Sequence, residues 1–255
     1  MTDEAVPTRS DRVAQERRGA RRRSRSRRRS VRLFLRDLAV IVVVAILVSF
    51  LVKTFVVRSF YIPSASMENT LQINDRIIVN ELEPGLFPIS RGDVVVFRDP
   101  GGWLPPQPPS RESPVSQAID QALTFIGLSA SDSNDHLVKR VIGLPGDHVA
   151  CCNVDGRVTV NGSPLDEPYV LLQPGQKNAA TLAFDVTVPK GELWVMGDNR
   201  YNSQDSSRNQ SLPGHGFVPI DHVVGRAFVI SWPTSRWTWL DNYPEVFRGA
   251  EEDKR

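Results

Sequence analysis

Apolar residues are spread unevenly along the 255 positions of the chain. The longest run is Leu38 to Val57, Leu-Ala-Val-Ile-Val-Val-Val-Ala-Ile-Leu-Val-Ser-Phe-Leu-Val-Lys-Thr-Phe-Val-Val. About 20 residues at ~1.5 Å each match the thickness of a hydrocarbon core. Its one charge, Lys53, lies near the far end, where a long side chain can reach the interface. The apolar core is longer than that of a cleaved leader, and no clear small-x-small site follows it. The pattern predicts an uncleaved transmembrane anchor over residues 37–58. No second span is expected, because Val115 to Leu128 is too short and too polar.

Beyond the anchor the pattern changes to short β-branched runs bounded by turn residues. They are Arg76 to Asn80, Asp93 to Phe97, His136 to Ile142, Val158 to Val160, Ala183 to Val188, Glu192 to Met196 and Val223 to Ser231. Asn161-Gly162 and Leu144-Pro145-Gly146-Asp147 mark tight turns. The gaps lack the periodicity of crossover helices, so parallel βαβ units are excluded. The expectation is a mainly β body over residues 59–248, antiparallel and partly barrel-like. Residues 99–135 form an insertion rich in Pro, Gly, Ser and Asp, in which Ile119, Leu123, Ile126 and Gly127 allow one short amphipathic helix that packs on the body or lies on the membrane. Residues 249–255 read as a charged tail.

Charge sharpens this picture. The formal net charge of +2 hides roughly +9 on residues 1–36 and roughly −7 on the remainder. Residues 1–32, with Arg-Arg-Arg-Ser-Arg-Ser-Arg-Arg-Arg at 21–29, cannot bury enough apolar surface to fold and read as disordered. Basic residues beside a spanning helix stay on the cytoplasmic side and attract anionic lipid. This predicts a single-pass plasma-membrane protein with its N-terminus inside and its body outside. Nucleic acid is not an expected partner, because the body is acidic and lacks a basic aromatic platform. The two cysteines, Cys151 and Cys152, are adjacent, which excludes a disulfide framework and a zinc site. They read as two partly buried thiols or a local bridge, with the thiols slightly favoured. No metal or other cofactor is expected.

Three stretches carry candidate chemistry. Phe60-Tyr61-Ile62-Pro63-Ser64-Ala65-Ser66-Met67-Glu68-Asn69-Thr70-Leu71 follows the anchor. Pro63 biases Ile62 toward an extended form, and on a strand Ser64 and Ser66 point to one side. A serine hydroxyl needs a base. His136, His148, His215 and His222 make a Ser-His-Asp triad conceivable, but none has a setting that marks it as one. Lys139 is the other candidate. It alternates with Leu137 and Val141 on an apolar strand face, and burial favours a neutral amine. The third stretch, Gly197 to Arg208, is a polar loop after the apolar Leu193-Trp194-Val195-Met196. It offers Asp and Arg for an ion pair and hydroxyls to orient an amine.

In this order and behind this anchor, the segments resemble those of bacterial type I signal peptidases, with an actinobacterial cast. Pro63 to Met67 resembles the nucleophile motif, Arg91 to Phe97 the next box, Lys139 to Asp147 the lysine box, and Gly197 to Asp205 the last. The resemblance covers roughly residues 35–235. It implies a membrane-bound serine endopeptidase that removes signal peptides from exported pre-proteins after Ala-x-Ala sites. Pre-proteins, membrane lipid and the export machinery are the implied partners. Ser66 would be the nucleophile and Lys139 the base. The Ser66 N–H and the Ser64 hydroxyl would form the oxyanion hole. Ser203 would orient the lysine, Asp205 would support the site through an arginine, and Arg140 and Arg208 would stand behind it. Phe60, Ile62, Met67, Leu71 and Val138 would line shallow apolar pockets. The chain departs from the pattern at Asn69, where a proline is usual and whose presence loosens the turn. It departs again at Tyr201, and at Asp205-Ser206-Ser207-Arg208, which has one extra residue. Arg208 therefore either fills the usual arginine's place after a bulge or is displaced. That altered loop motivates an alternative, a non-catalytic paralogue that binds pre-proteins or the export machinery.

Overall fold

The computed structural model describes residues 33–50, 56–105 and 135–252. The basic tail, Lys53 and the helix expected within the insertion lie outside the described residues. Two units are distinct, one ending at Val52 and the other beginning at Lys53.

In the first unit, Leu33–Phe50 is a helix, the one helix among the described residues long and apolar enough to cross a membrane. All its described side chains are exposed. It begins five residues before the apolar run does. The run's last residue, Val57, already opens a strand, because β-branched residues suit a pleated surface as well as a span.

The second unit is mainly antiparallel β. Its large sheet contains β1 (Val57–Tyr61), β2 (Arg76–Asn80), β3 (Val94–Arg98), β4 (His136–Gly143), β9 (Glu192–Met196), β10 (Val218–Pro219), β11 (Val223–Trp232) and β12 (Thr238–Trp239). The order is β1-β2-β11-β3-β4-β9-β10, with β12 also on β11. The path ends at β1 and β10, so the sheet is not a closed barrel. β3 lies between β11 and β4, and its Val94, Val95, Val96 and Phe97 are all buried, as a continuous apolar run in a central strand requires. A smaller sheet runs β7-β6-β5-β8, from β5 (His148–Cys151), β6 (Val158–Val160), β7 (Ser163–Pro164) and β8 (Phe184–Thr187). Asn161 and Gly162, both at positive φ (51° and 86°), make the tight β6–β7 turn.

One apolar cluster includes Phe60, Ile62, Met67, Leu71, Ile77 and Val94. Another joins Val95, Phe97, Leu137, Val141 and Val195. A third joins the smaller sheet to Trp194, Phe247 and Ala250. The third cluster corrects the expected charged tail. Arg248–Glu252 is a short helix, and Ala250 is fully buried with its carbonyl accepting Asn161 Nδ2–H at 2.9 Å. The favoured free thiols are also corrected, since Cys151 and Cys152 are joined in a disulfide.

Candidate active site

The serine pair does not lie on a strand, as alternation would have it. Ser64 is extended (φ −128°, ψ 157°), but Ala65–Met67 form one 3-10 turn. The turn nevertheless brings the Ser64 and Ser66 Oγ atoms to 3.3 Å. It is tied down behind: Leu71 N–H donates to Met67 O at 2.7 Å, and Asn199 N–H to Ser66 O at 3.1 Å. Asn199 Nδ2 adds bonds to Ala65 O and to Glu68, each 3.2 Å.

Lys139 is delivered by β4. Its cross-strand neighbour is Val95, and Val95, Leu137 and Val141 share one apolar cluster. The apolar setting read from alternation is therefore real. Lys139 Nζ lies 2.7 Å from Ser66 Oγ and 3.0 Å from Val138 O. Burial lowers its pKa from 10.5 to about 8, while the charges of Asp205 and Asp198 push it upward. The recorded side-chain partners of Ser66 Oγ are thus Lys139 and Ser64. Of the histidines, His136 stands against Phe60 with ring centroids 5.4 Å apart, His148 pairs with Asp185, and His215 is exposed. His222 is half-buried.

These residues face a cleft of about 400 Å³ lined by Phe60, Ile62, Ser64, Met67, Val138 and Ser203 together with Ser66 and Lys139. Leu71 is not on that wall. It is fully buried behind it, in the cluster that holds Phe60, Ile62 and Met67. Ser203 is in the cleft, but its Oγ is buried without a hydrogen-bond partner among the described residues rather than bonded to Lys139. Asp205 binds no arginine among the described residues either. Its Oδ2 accepts Gly197 N–H at 3.0 Å, and its Oδ1 accepts the Ser207 hydroxyl at 2.7 Å and N–H at 3.1 Å. Arg208 is displaced onto the cleft wall, where Nη2 donates to Tyr201 O at 2.8 Å.

The loop is held by arginines the sequence did not assign to these partners. Arg140 binds Asp198 through Nε (2.9 Å) and Nη2 (2.8 Å), with both side chains fully buried. It also donates to Gly92 O and Thr70 Oγ1, and its guanidinium lies 4.0 Å from the Tyr169 ring centroid. Thr70 in turn donates to Asp198, which fastens the segment after Ser66 to the loop. Arg200 forks onto Glu167 (2.9 and 2.6 Å) and donates to Gly197 O at 3.0 Å. Burial opposes the Arg200 charge, but Glu167 overrides it and raises its pKa. Glu167 and Tyr169 had no local sequence signal beyond Leu165-Asp166-Glu167-Pro168-Tyr169, where a charged residue usually reads as solvated. Asn69 has its own explanation. Its φ of 87° is closed to proline, and its Nδ2 donates to Tyr169 O at 3.2 Å, so the departure fixes the turn rather than loosening it.

A serine hydroxyl against a buried lysine, in a cleft of an antiparallel β body, is an arrangement that can supply a nucleophile and a base. Comparison with known proteins makes this specific. Residues 35–232 match the family described as signal peptidase, peptidase S26. A signal peptidase I of Mycobacterium tuberculosis is 41% identical over 222 residues, covering 80% of this chain and 74% of that one. A probable signal peptidase I-2 of Synechocystis is 36% identical over 200 residues, covering 78% and 74%. A crystal structure of a signal peptidase I from Enterococcus faecalis matches at 24% identity and a TM-score of 0.35, over 54% of this chain and 95% of that one. The chain belongs to the signal peptidase family, peptidase S26, and is a serine peptidase.

Proposed function

We propose that this protein is a membrane-anchored signal peptidase I that cleaves exported pre-proteins after small-x-small sites by a serine–lysine mechanism. The observation that carries the reading is the 2.7 Å approach of Lys139 Nζ to Ser66 Oγ inside the cleft. That distance is within reach of direct proton transfer. Once neutral, the Lys139 amine accepts the Ser66 hydroxyl proton as Oγ attacks the scissile carbonyl. The oxyanion is held by the Ser66 N–H and the Ser64 hydroxyl. The lysine then hands its proton to the leaving amine, and water releases the acyl group by the reverse path. The Ser203 hydroxyl, buried beside Gly197, stands ready to steady the amine as it turns between partners.

Phe60, Ile62, Met67 and Val138 supply the apolar pockets, which admit alanine side chains and exclude larger ones. The exposed apolar helix Leu33–Phe50 supports anchoring, and the basic tail supports an internal N-terminus. The substrates are then signal-peptide-bearing pre-proteins met at the outer membrane face, beside lipid and the export machinery. The test uses the full chain in detergent, with a peptide spanning an Ala-x-Ala export site and mass spectrometry of the products. Wild type should cut after the second alanine, and Ser66→Ala and Lys139→Ala should each lose at least ~1000-fold. A fully active Lys139→Ala would sink the mechanism. A folded wild type that binds the peptide without cutting it would leave the non-catalytic groove.

A further inference from the structure

We propose that Arg208 is a substrate-binding residue, and that it makes the cleft prefer a peptide with an acidic side chain close to the scissile bond. The inference rests on the peptidase reading above and names the substrate chemistry of that same site.

Asp205-Ser206-Ser207-Arg208 carries one extra residue between the aspartate and the arginine. The added length lets Ser207 fold back onto Asp205 and fill its Oδ1 with a hydroxyl and an N–H, while Gly197 N–H takes Oδ2. The carboxylate is satisfied without a guanidinium, and Arg208 is left to turn outward. It comes to rest on the wall of the cleft that holds Ser66 and Lys139.

Its partners there are too few. Arg208 Nη2 donates to Tyr201 O, and Nε is buried without an acceptor among the described residues. The other arginines around the site each take a carboxylate: Arg140 takes Asp198, Arg200 takes Glu167, Arg91 takes Asp147 and Arg236 takes Asp75. Arg208, half-buried, has none among the described residues. A partly desolvated guanidinium with idle donors is costly alone and binds a carboxylate strongly, because planar charge-assisted bonds replace the water it has lost. Phe60, Ile62, Met67, Val138 and Leu104 give the same cleft an apolar side, while the polar side chains that line it, Asn202 and Gln204 among them, include no carboxylate to compete for Arg208. A glutamate or aspartate of a bound peptide completes this site, and a lysine in its place is repelled.

The experiment is a positional scan with the full chain in detergent. Peptides carry one Ala-x-Ala site and a single Glu, Gln or Lys at each of the neighbouring positions in turn, and kcat/KM is measured for wild type, Arg208→Gln and Arg208→Lys. In wild type, Glu should exceed its isostere Gln by about tenfold at one position, with Lys below both, the size of one charge-assisted bond. The Glu-to-Gln ratio should fall to near one in Arg208→Gln, persist in reduced form in Arg208→Lys, and shrink with added salt. Equal rates for Glu and Gln at every position overturn the proposal. So does an Arg208→Gln variant that slows all peptides equally, since that marks an arginine serving backbone carbonyls or the fold. If wild type cuts none of the peptides, the peptidase reading itself fails and takes this inference with it.

Discussion

A lysine that acts as a base must first lose its proton, and under the proposed mechanism Lys139 does so from a buried position. Burial brings its pKa from 10.5 to about 8. The active form is the neutral one, so kcat/KM for an Ala-x-Ala peptide should climb with pH along a limb centred on about 8 and level off above it. A profile flat across that limb would remove Lys139 as the base. The same depression has a cost in stability. Between about 8 and 10.5 the unfolded chain holds a proton that the folded chain has released, so stability rises with pH across that window. Below it the penalty is complete, about 3 kcal/mol. Lys139→Met should therefore abolish cleavage yet melt a few degrees above wild type at neutral pH, measured by thermal unfolding of the full chain in detergent. A lower melting temperature would mean that the amine's bonds to Ser66 and Val138 outweigh its desolvation. Lys139 was legible in the sequence because its desolvating neighbours, Leu137 and Val141, sit two residues either side. Glu167 was not legible, because the partner that buries it, Arg200, is 33 residues away. Arg208 was legible only as an alternative, since one inserted serine decides which way a guanidinium turns and nothing local says which.

At the scale of elements, β-branched runs identify five of the eight strands of the large sheet and two of the four of the smaller one, with β2, β6 and β9 at the expected limits. What they missed follows from the same physics. β1, Val-Arg-Ser-Phe-Tyr, starts on the last residue of the apolar run, and like β5, His-Val-Ala-Cys, it has one β-branched residue to announce it. An extended Phe60–Leu71 segment would set Ser64 and Ser66 on one side, but the chain must turn there to carry Ser66 toward β4, and a 3-10 turn does this in three residues. The loop after β9 then closes on that turn at Gly197. A methyl group there would sit 2.5 Å from Ser66 O and 2.3 Å from Ser203 Oγ. The hydroxyl can rotate away, but Ser203 Cβ, 2.6 Å from that methyl, and the carbonyl cannot, and Asn199 N–H also holds the carbonyl. Gly197→Ala should push the nucleophile turn out of line and lower kcat by about 100-fold, with a much smaller change in KM. Circular dichroism should show the sheets unchanged. Wild-type kcat in this variant would mean that the loop and the turn do not set each other's position.

At the scale of the whole molecule, the chain is electrically divided, roughly +9 before the apolar helix and roughly −7 after its start. The proposed orientation rests on the basic residues of 1–36, not on the charge of the body. Basic residues next to a span are retained in the cytoplasm, whereas a long domain beyond it crosses largely regardless of its own charge. The disulfide at Cys151–Cys152 makes this measurable, because it leaves no free thiol in the chain to react with a probe. Leu86, 74% exposed on a loop of the body, is a site where a new thiol disturbs no packing. In intact cells, Leu86→Cys should react with a membrane-impermeant maleimide, while Ser30→Cys in the basic tail should react only after the membrane is opened. Replacing the arginines of residues 21–29 with glutamine should lower the outside-labelled fraction of Leu86→Cys, since the charge that holds the tail inside is then gone. Labelling of Ser30→Cys in intact cells would reverse the orientation. It would put Ser66 and Lys139 on the side where pre-proteins have not yet crossed, and the export role would fail with it, even if the purified enzyme cut every Ala-x-Ala peptide offered to it.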